Sequence, residues 1–483
     1  MSVFQGLKPE KVWKQFEAIC NIPHPSGHEQ EVAQYVVNEA KRLGLAVKRD
    51  DVGNVCVTKP AAKGHESAQT VILQGHLDMV GVAAPGVKHD FTKDPIKCKI
   101  DGKLVKAEGT TLGADNGIGG AIMLALMEED FKHGEIEFLF TVNEEAGMDG
   151  AHGLNASFVK GRRLINLDTE EWGEFYISCA GGGDSVITLP VTRERQKIGF
   201  TAVHVKISGL KGGHSGVDIN LGRGSGNRII GRLLAAAYDI NTFHIVRISG
   251  GNKRNSIADG AEAEIFIPVN NVDSVVKSLN STAEIVKREL ATTDPGMKLS
   301  IETKDKPSDN PISEKDSKKI IDLLVALPHG VLAMSPEVPG LVETSTNIGV
   351  VGIEKDTVKI SLLTRSAVTS ALDALKLQIR TIAHFVGAKI EEPKGYPGWK
   401  PNINSELLKI SKEVFKKMNG KDPAIKAIHA GLECGLFGEK LPGVDMLSIG
   451  PEMHNVHSPA EELDIASIPK TYDLIKEILK ALG

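Results

Sequence analysis

Histidines and carboxylates, the side chains that bind catalytic zinc, follow apolar segments at several separate places in this sequence. They are His76 and Asp78 after residues 71–73, Glu144 and Glu145 after 138–140, Asp168 after 164–167, and His457 in the loop after 446–449. Asp115 lies in the glycine-rich segment 113–117, just before a predicted helix. Because sites in open α/β sheets form at the carboxyl ends of the strands, we expect these side chains to converge.

Converging carboxylates and imidazoles would repel one another and lose hydration unless a cation lay between them. Divalent metal ions remove that problem. His76 and Asp78 are two residues apart, so they share a face in extended backbone, and Asp78 can hold the second ring nitrogen of His76. Glu144 and Glu145 are adjacent and point in different directions, so one can bind metal while the other faces a substrate. The pattern therefore predicts metal-dependent chemistry.

Five short motifs in a fixed order closely resemble those of the M20 metallopeptidases, which are co-catalytic zinc enzymes. The motifs are H-L-D at 76–78, G-A-D-N-G at 113–117, N-E-E at 143–145, N-L-D at 166–168 and H-S-P-A-E at 457–461. The longer segments 109–117, 178–182 and 429–435 look like those of the bacterial dipeptidases in that family. The resemblance covers essentially the whole chain.

The resemblance implies a role for each candidate residue. Asp115 would bridge two divalent metal ions, with zinc expected and cobalt or manganese as alternatives. His76 and Asp168 would complete one metal, and Glu145 and His457 the other. Glu144 would be the general base, and Asp78 the partner of His76. The resemblance also implies a cis peptide bond between Asp115 and Asn116.

Four further residues are candidates for contact with the substrate by the same resemblance. His214, in the loop 212–216, would donate to the oxyanion. Arg365 would bind the substrate carboxylate, Asn255 would contact the substrate, and Glu433 would lie near the pocket. The activity implied is hydrolysis of unblocked dipeptides, including Xaa-His dipeptides such as β-alanyl-histidine (carnosine).

Other interpretations stay open on the sequence alone. A deacylase or aminoacylase acting on N-acyl amino acids, or a tripeptidase, would use the same fold. A non-catalytic metal- or peptide-binding protein would have lost the base or the bridge, yet Glu144 and Asp115 are both present. A serine hydrolase lacks support because there is no G-x-S-x-G elbow. Among single residues, His454 competes with His457, and Arg365 could instead form a surface ion pair.

The elements that must position these residues alternate between helix and strand over the first 180 residues, which predicts an α/β domain with a mainly parallel, mixed sheet flanked by helices. After the glycines 181–183 the pattern becomes α+β. Two strand-then-helix units, 263–267 with 272–290 and 357–363 with 369–386, look like halves of a duplicated domain. We therefore expect a zinc-exopeptidase-like catalytic domain at 1–186 and 398–483, and an inserted lid domain at 187–397.

Composition bounds the partners and the compartment. The 483 residues carry 57 basic and 62 acidic side chains, a net charge of −5, which argues against nucleic acid as a partner. No apolar run reaches the roughly 20 residues that span a bilayer, so no membrane partner is expected. The five scattered cysteines and the absence of a signal sequence indicate a cytoplasmic protein. The resemblance implies a homodimer. His24, His28, His65 and His89 have no partner motif and are expected to be solvated.

Overall fold

Apolar segments of the sequence form an eight-stranded sheet in the computed structural model, which describes residues 2–483. In spatial order its strands are Ala46–Arg49, Val55–Lys59, Ile136–Thr141, Val71–His76, Arg163–Asn166, Asp445–Ser448, Glu174–Cys179 and Ala424–Ile428. The third to the sixth strands are parallel, and the first three pair antiparallel with one another. Every residue of Val71–His76 and Ile136–Thr141 is buried, as expected for central strands covered on both faces.

Helices flank this sheet, and the most central one is apolar all round. They are Glu10–Cys20, Gln30–Arg42, Ala114–Met127, Glu144–Gly147, Asp149–Gly153, Glu406–Asn419, Glu433–Lys440 and Ser467–Leu482, with a 3₁₀ turn at Ala156–Phe158. Ala114–Met127 packs against Glu10–Cys20 on one side and against the strand Val71–His76 on the other. Because this helix is covered on several sides, nearly all of its residues are buried, and a polar face is therefore not expected.

A small antiparallel sheet beside these elements carries the C-terminal histidine motif. Its strands, in spatial order, are Met453–His454, Glu462–Asp464, Leu104–Ala107 and Cys98–Asp101. The first two strands form a hairpin, and the loop between them contains the whole H-S-P-A-E motif. The position of His457 is therefore fixed by the pairing of Glu462–Asp464 with Leu104–Ala107.

The chain divides into two compact units. The first unit contains the sheets and helices above and comprises the chain up to Cys179 together with Trp399–Ala427 and Leu432–Gly483; the second comprises Ala180–Gly398 and Ile428–Gly431. The predicted division at residue 186 falls inside the strand Gly181–Pro190, which pairs along its whole length within the second unit. The predicted domain limits of 1–186, 187–397 and 398–483 stay a prediction.

The second unit is built on a nine-stranded antiparallel sheet. In spatial order the strands are Lys298–Lys304, Phe200–Ser208, Ala261–Pro268, His244–Gly250, Val342–Glu354, Thr357–Ser366, Gly181–Pro190 and Lys389–Glu391, and Gly330–Met334 pairs beside Val342–Glu354. The helices are Gly226–Tyr238, Val272–Glu289, Glu314–Ala326 and Thr369–Phe385, with a 3₁₀ turn at Val269–Asn271. Alternation along the strand puts Val203, Val205 and Ile207 in the core, as the sequence pattern indicated. A two-stranded pair, Gly213–His214 with Ser256–Ile257, completes the unit.

The order of strands in this sheet reveals an internal duplication. In chain order each half contains strand, helix, strand, strand, helix and strand. One half is Phe200–Ser208, Gly226–Tyr238, His244–Gly250, Ala261–Pro268, Val272–Glu289 and Lys298–Lys304. The other half is Gly181–Pro190, Glu314–Ala326, Val342–Glu354, Thr357–Ser366, Thr369–Phe385 and Lys389–Glu391, with Gly330–Met334 as an additional strand. The halves meet where His244–Gly250 pairs with Val342–Glu354. The prediction of an α/β fold with an inserted α+β part is confirmed.

Two further findings concern the whole described chain. Over residues 2–483, none of the helices combines the length and the apolar character needed to cross a membrane. All five cysteines are free thiols, and four of them are buried.

Candidate metal centre

His76 lies at the middle of the candidate site. It ends the buried strand Val71–His76, and its ring is only 1% exposed. Its Nε2 lies 3.1 Å from Oδ1 of Asp115 and 3.3 Å from Oδ1 of Asp168. Its Nδ1 lies 3.0 Å from the carbonyl oxygen of Asp78 and 3.4 Å from Oδ1 of the same residue. Nδ1 can therefore donate to Asp78 while Nε2 faces the carboxylates.

A buried glutamate from the C-terminal motif shapes the loop that carries Asp115. Gly113 has a φ of 70°, a conformation that suits glycine, at the point where the loop turns into a helix. The carboxylate of Glu461 accepts hydrogen bonds from the backbone N–H groups of Leu112 at 2.7 Å, Gly113 at 3.1 Å and Ala114 at 2.8 Å. These bonds replace a side-chain cap at the start of the helix and fix the backbone immediately before Asp115.

Asn116 joins the Asp115 loop to the strand that carries Asp168. Its side-chain amide donates to the carbonyl oxygen of Leu167 at 2.6 Å and also to Oδ1 of Asp168. A Cβ atom at Gly119 would lie 2.3 Å from Oδ1 of Asn116, so only glycine lets this amide approach. The Asp115–Asn116 peptide bond is cis, as the resemblance implied.

Asp78 connects His76 with the turn that carries the glutamate pair. Its Oδ1 accepts the backbone N–H of Glu144 at 2.9 Å, and its Oδ2 accepts the N–H of Glu145 at 3.1 Å and the hydroxyl of Ser26 at 2.8 Å. Burial acts to raise the pKa of Asp78, but hydrogen bonds from His76, Glu144 and Ser26 outweigh it and lower the pKa to about 2. Asp78 is therefore ionised and holds both parts of the site at once.

His457 approaches from the hairpin loop of the small sheet. Its backbone has a φ of 60°, a left-handed conformation that few residues with a side chain adopt. Its Nε2 lies 2.7 Å from Oε1 of Glu145 and 3.0 Å from Oδ2 of Asp115. The competing His454 lies instead 3.4 Å from Glu452. The geometry therefore favours His457 over His454.

Within residues 2–483, three overlapping groups of side chains each bring their ligand atoms within 4.8 Å of one another. They are His76 with Asp115 and Asp168, Asp115 with Glu145 and His457, and His76 with Glu144 and Glu145. Asp115 belongs to two of the groups. Imidazole nitrogens and carboxylate oxygens are suitable ligands for zinc and for several other divalent ions.

The carboxylates of the candidate site create a negative potential that favours a bound positive charge. Hydrogen bonds from Asp115 and Glu145 raise the pKa of His457 to about 11. The pKa of His76 is also raised, because Asp168, Asp115 and Asp78 outweigh the effect of its burial. Without a metal ion the carboxylates would thus hold protons on both imidazoles. Divalent cations would supply that charge and leave the imidazoles neutral, which is the state that binds metal. The residues present therefore fit a pair of metal ions.

Glu144 and Glu145 are partly buried, so they are not an exposed pair of surface glutamates. Burial raises the pKa of Glu144 well above the ordinary value, and the nearby carboxylates of Asp168 and Glu145 add to the effect. A glutamate with a raised pKa can take up and release a proton near neutral pH.

In the second unit, His214, Arg365 and Asn255 lie close together. Arg365 NH2 is 3.5 Å from Nε2 of His214, and the backbone carbonyl of Asn255 accepts the N–H of Ser215 at 2.8 Å. Arg365 is 4% exposed, so a surface ion pair is the wrong interpretation of it. Its NH1 donates to the hydroxyl of Tyr396 at 3.0 Å, and its Nε has no partner within the described chain.

The protonation of His214 follows from its hydrogen bonds. Its Nδ1 accepts the backbone N–H groups of Gly216 at 3.2 Å and Val217 at 3.3 Å. Burial and the positive charge of Arg365 lower its pKa. The neutral ring therefore carries its hydrogen on Nε2, which can donate to an acceptor on a substrate.

Two expectations from the sequence need comment. Glu433 has no exposed surface, and its Oε2 accepts hydrogen bonds from Gln74 at 2.6 Å and Thr141 at 2.8 Å. The expectation that His24 is solvated is wrong, because this residue is only 2% exposed. Its own backbone carbonyl accepts the N–H of Met79.

Three further residues of the site lie within the sequence motifs, although the motifs alone indicate no role for them. Glu461 and Asn116 stand inside the quoted motifs, and each acts on backbone groups distant in sequence. His429 stands inside 429–435, and its Nε2 lies 2.7 Å from Oγ of Ser345, the cross-strand neighbour of Arg365. A motif marks such residues, but only the fold shows what they contact.

An α/β sheet whose strand ends carry overlapping histidine and carboxylate groups, with a partly buried glutamate beside them, is the arrangement of a metal-dependent hydrolase. The profile of Peptidase family M20/M25/M40 matches residues 72–481. The chain belongs to this family, and the prediction of an M20 metallopeptidase is confirmed.

Individual relatives are similar over the full length. The chain is 42% identical to the cytosol non-specific dipeptidase of Escherichia coli over 485 aligned residues, which cover 100% of this chain and 99% of the relative. The crystal structure of aminoacylhistidine dipeptidase from Vibrio alginolyticus matches with a TM-score of 0.92 and 42% identity, over 100% of this chain and 99% of that one. Aminopeptidase PepT from Bacillus cereus, at 18% identity, matches with a TM-score of 0.56 over 99% of both chains and shares the fold.

Proposed function

We propose that this protein is a two-metal dipeptidase that hydrolyses unblocked dipeptides, including Xaa-His dipeptides such as β-alanyl-histidine. The observation that carries the proposal is that Asp115 belongs to two groups of metal-capable side chains at once. The substrate class is supported by the full-length relatives from Escherichia coli and Vibrio alginolyticus, whose names are those of dipeptidases. Zinc is the expected metal, and cobalt or manganese are the alternatives.

Two groups of residues would hold the ions. His76, Asp168 and Asp115 would bind one, and Asp115, Glu145 and His457 would bind the other. When bound, such ions increase the acidity of water and polarise a peptide carbonyl. Asp78 would keep the ring of His76 in place through Nδ1.

Glu144 would handle the protons. With its pKa raised by burial, its carboxylate accepts the proton of the attacking water and then delivers it to the nitrogen of the leaving amine. The backbone N–H of Glu144 donates a hydrogen bond to Oδ1 of Asp78, and this bond holds the backbone of Glu144 in position. One residue can therefore serve first as a base and then as an acid.

Residues of the second unit would bind the substrate. His214, as a donor through Nε2, would stabilise negative charge on the carbonyl oxygen. Arg365 would bind the free carboxylate of the dipeptide, for which its unpartnered Nε is suited. Asn255, exposed beside the His214 strand, would contact the peptide.

The decisive experiment replaces Glu144 by alanine. We expect the variant to retain both metal ions and to lose nearly all kcat, by a factor of at least about 100, because general base catalysis typically contributes 10² to 10⁴. Metal content would be measured by atomic emission on the same preparations. Glu406→Ala, at an exposed ion pair with Arg163, is the matched control. Full activity of the Glu144 variant would mean that the base is assigned wrongly.

A substrate panel separates this proposal from its alternative. The purified protein would be assayed in parallel with carnosine, unblocked dipeptides, tripeptides and N-acetyl amino acids. Turnover of acetylated substrates alone would favour an aminoacylase, and turnover of tripeptides alone would favour a tripeptidase.

Assembly and location belong to the same proposal. A homodimer acting in the cytoplasm is expected, and the word cytosol in the name of the Escherichia coli relative supports the location. Light scattering after gel filtration would give the mass in solution, and fractionation of cells would give the location.

A further inference from the structure

A continuous chain of buried polar side chains lies beneath the candidate metal centre in the first unit. We call it the strand-end network; its members are Gln74, Thr141, Asn166, Ser448 and Glu433. All five have 0% exposure. Polar groups so deeply buried destabilise a protein unless they are hydrogen-bonded, and here each member bonds to at least one other.

The bonds of the network cross from strand to strand. Oε2 of Glu433 accepts from Nε2 of Gln74 at 2.6 Å and from Oγ1 of Thr141 at 2.8 Å. Oε1 of Gln74 accepts from Nδ2 of Asn166 at 2.7 Å, and Oδ1 of Asn166 accepts from Oγ of Ser448 at 2.5 Å. The network thus joins the four parallel strands at the centre of the sheet.

Three of the four strands of the network end at, or two to three residues before, a residue of the metal centre. Gln74 precedes His76 by two residues on the same strand, so their side chains share a face. Asn166 likewise precedes Asp168 by two residues, and Thr141 ends the strand that leads to Glu144. A shift of one strand against its neighbour would therefore move one ligand against another.

Glu433 differs from the other members because it comes from outside the sheet. It is the first residue of the helix Glu433–Lys440, and its Oε2 is the common acceptor for two strands. Its Oε1 has no hydrogen-bond partner among the residues that the structure describes. The contribution of Glu433 is therefore concentrated in one oxygen atom that accepts two hydrogen bonds.

We propose that Glu433 is a positioning residue that sets the spacing of His76, Asp168 and the glutamate turn for two metal ions by anchoring Gln74 and Thr141. This inference rests on the proposed two-metal function. It replaces direct substrate binding as the role of Glu433, because the side chain has no exposed surface. Partners that orient metal ligands in this way typically change metal affinity by a factor of about 10 to 100 when they are lost.

The test compares two substitutions at one position. Glu433→Gln keeps a carbonyl oxygen that can accept both hydrogen bonds, whereas Glu433→Leu removes this shared acceptor. The two donors then have only longer contacts, from Nε2 of Gln74 to Oγ1 of Thr141 at 3.1 Å and from Oγ1 of Thr141 to the carbonyl oxygen of Gly75 at 3.4 Å. Glu439→Leu, at an exposed position on the same helix, is the control. Zinc affinity would be measured by competition with a chromophoric chelator, together with the melting temperature of the metal-free protein, kcat and KM.

We expect Glu433→Leu to bind zinc at least about 10-fold more weakly and to lose kcat more than it changes KM. Glu433→Gln should stay within about threefold of the parent protein in zinc affinity, and Glu439→Leu should not differ from it. If Gln is as damaging as Leu, then charge and not the acceptor matters, and the inference is overturned. A lower melting temperature with unchanged zinc affinity would also overturn it, since the role would then be structural only.

Two features keep the outcome clear. If Glu433→Leu does not fold, Thr141→Val removes a single donor with little change of shape, and unchanged zinc affinity in that variant overturns the inference. Zinc binding is read without substrate, so it tests the network even if the parent protein hydrolyses no peptide. That last result would refute the proposed function alone.

Discussion

The carboxylate of Glu461 is the part of the site whose replacement gives the sharpest test of the structure. Glu461→Gln keeps the size of the side chain but turns one acceptor oxygen into an NH₂ donor. Both oxygens face backbone N–H groups, Oε2 those of Leu112 and Gly113, and Oε1 those of Ala114 at 2.8 Å and Asp115 at 3.4 Å. Whichever way the amide turns, at least one N–H group therefore loses its acceptor inside the protein.

The size of the effect follows from that count. A hydrogen bond to a charged group contributes about 1.5–3 kcal/mol. If the amide nitrogen faces Ala114 and Asp115, two bonds are lost, but the bond from Asp115 is long at 3.4 Å and contributes little, so the loss is close to that of one full bond. Burial raises the pKa of Glu461, so the neutral amide also avoids part of the desolvation of the carboxylate. We therefore expect the free energy of unfolding to fall by about 1.5–2 kcal/mol, at the lower end of that range. Because the loop carries Asp115, zinc affinity should fall about 10-fold or more.

The neighbouring glutamate provides the control. Glu462 forms an ion pair with Lys106 at 2.8 Å and is 22% exposed, so Glu462→Gln should change the free energy of unfolding by no more than about 1 kcal/mol. Urea unfolding followed by circular dichroism would measure both variants in the metal-free state, and chelator competition would measure zinc. If the two variants unfold at the same urea concentration and bind zinc equally, the proposed role of Glu461 is refuted.

The remaining predictions concern metal, the second unit and pH. Removal of metal with EDTA should abolish hydrolysis, and zinc, cobalt and manganese should restore it to different extents; activity in metal-free protein would contradict the mechanism. His214→Ala should lower kcat about 100-fold or more at unchanged metal content, which steady-state kinetics and metal analysis can check. Burial, with the charge of Arg365, lowers the pKa of His429 to about 3, against about 6.5 in an unfolded chain. The unfolded state therefore gains a proton first as the pH falls, and between pH 7 and pH 5 the free energy of unfolding should drop by about 2 kcal/mol, from roughly 1.5 pH units at 1.36 kcal/mol each. His429→Gln should lack this component of the acid loss, whereas the exposed His28→Gln should retain it.

Much of the fold could be predicted because its pattern is local. Fully apolar runs such as 71–73 and 138–140 become the buried central strands, and alternation at 201–207 becomes a strand with one face in the core. The duplication within the second unit could be predicted from two strand-then-helix segments, 263–290 and 357–386. The domain boundary at residue 186 stays a prediction, and the strand Gly181–Pro190 runs through that position.

The candidate ligands could be predicted because carboxyl ends of parallel strands meet at one edge. His76 and Asp168 come from neighbouring parallel strands, and Asp115 lies within 3.1 Å of the first. The residues that hold them could not be predicted in the same way. Asn116 and Glu461 act by donating to or accepting from backbone groups 51 and 347 positions away, and no local pattern specifies such partners.

Glu433 shows how burial can reverse an interpretation drawn from charge. An acidic residue in a family motif suggests contact with a substrate, since carboxylates are usually solvated or functional. The sheet supplies a different reason for its presence: Gln74 and Thr141 are fully buried donors, and Oε2 of Glu433 accepts the shortest hydrogen bond of each. A buried polar residue on each of the four central strands would destabilise the protein if it had no partner. Glu433 accepts from Gln74 and Thr141, and the hydrogen bonds between Gln74 and Asn166 and between Asn166 and Ser448 connect the other two strands. The metal centre and the polar interior beneath it are thus one arrangement, because His76 and Asp168 lie only two residues beyond Gln74 and Asn166 along the chain.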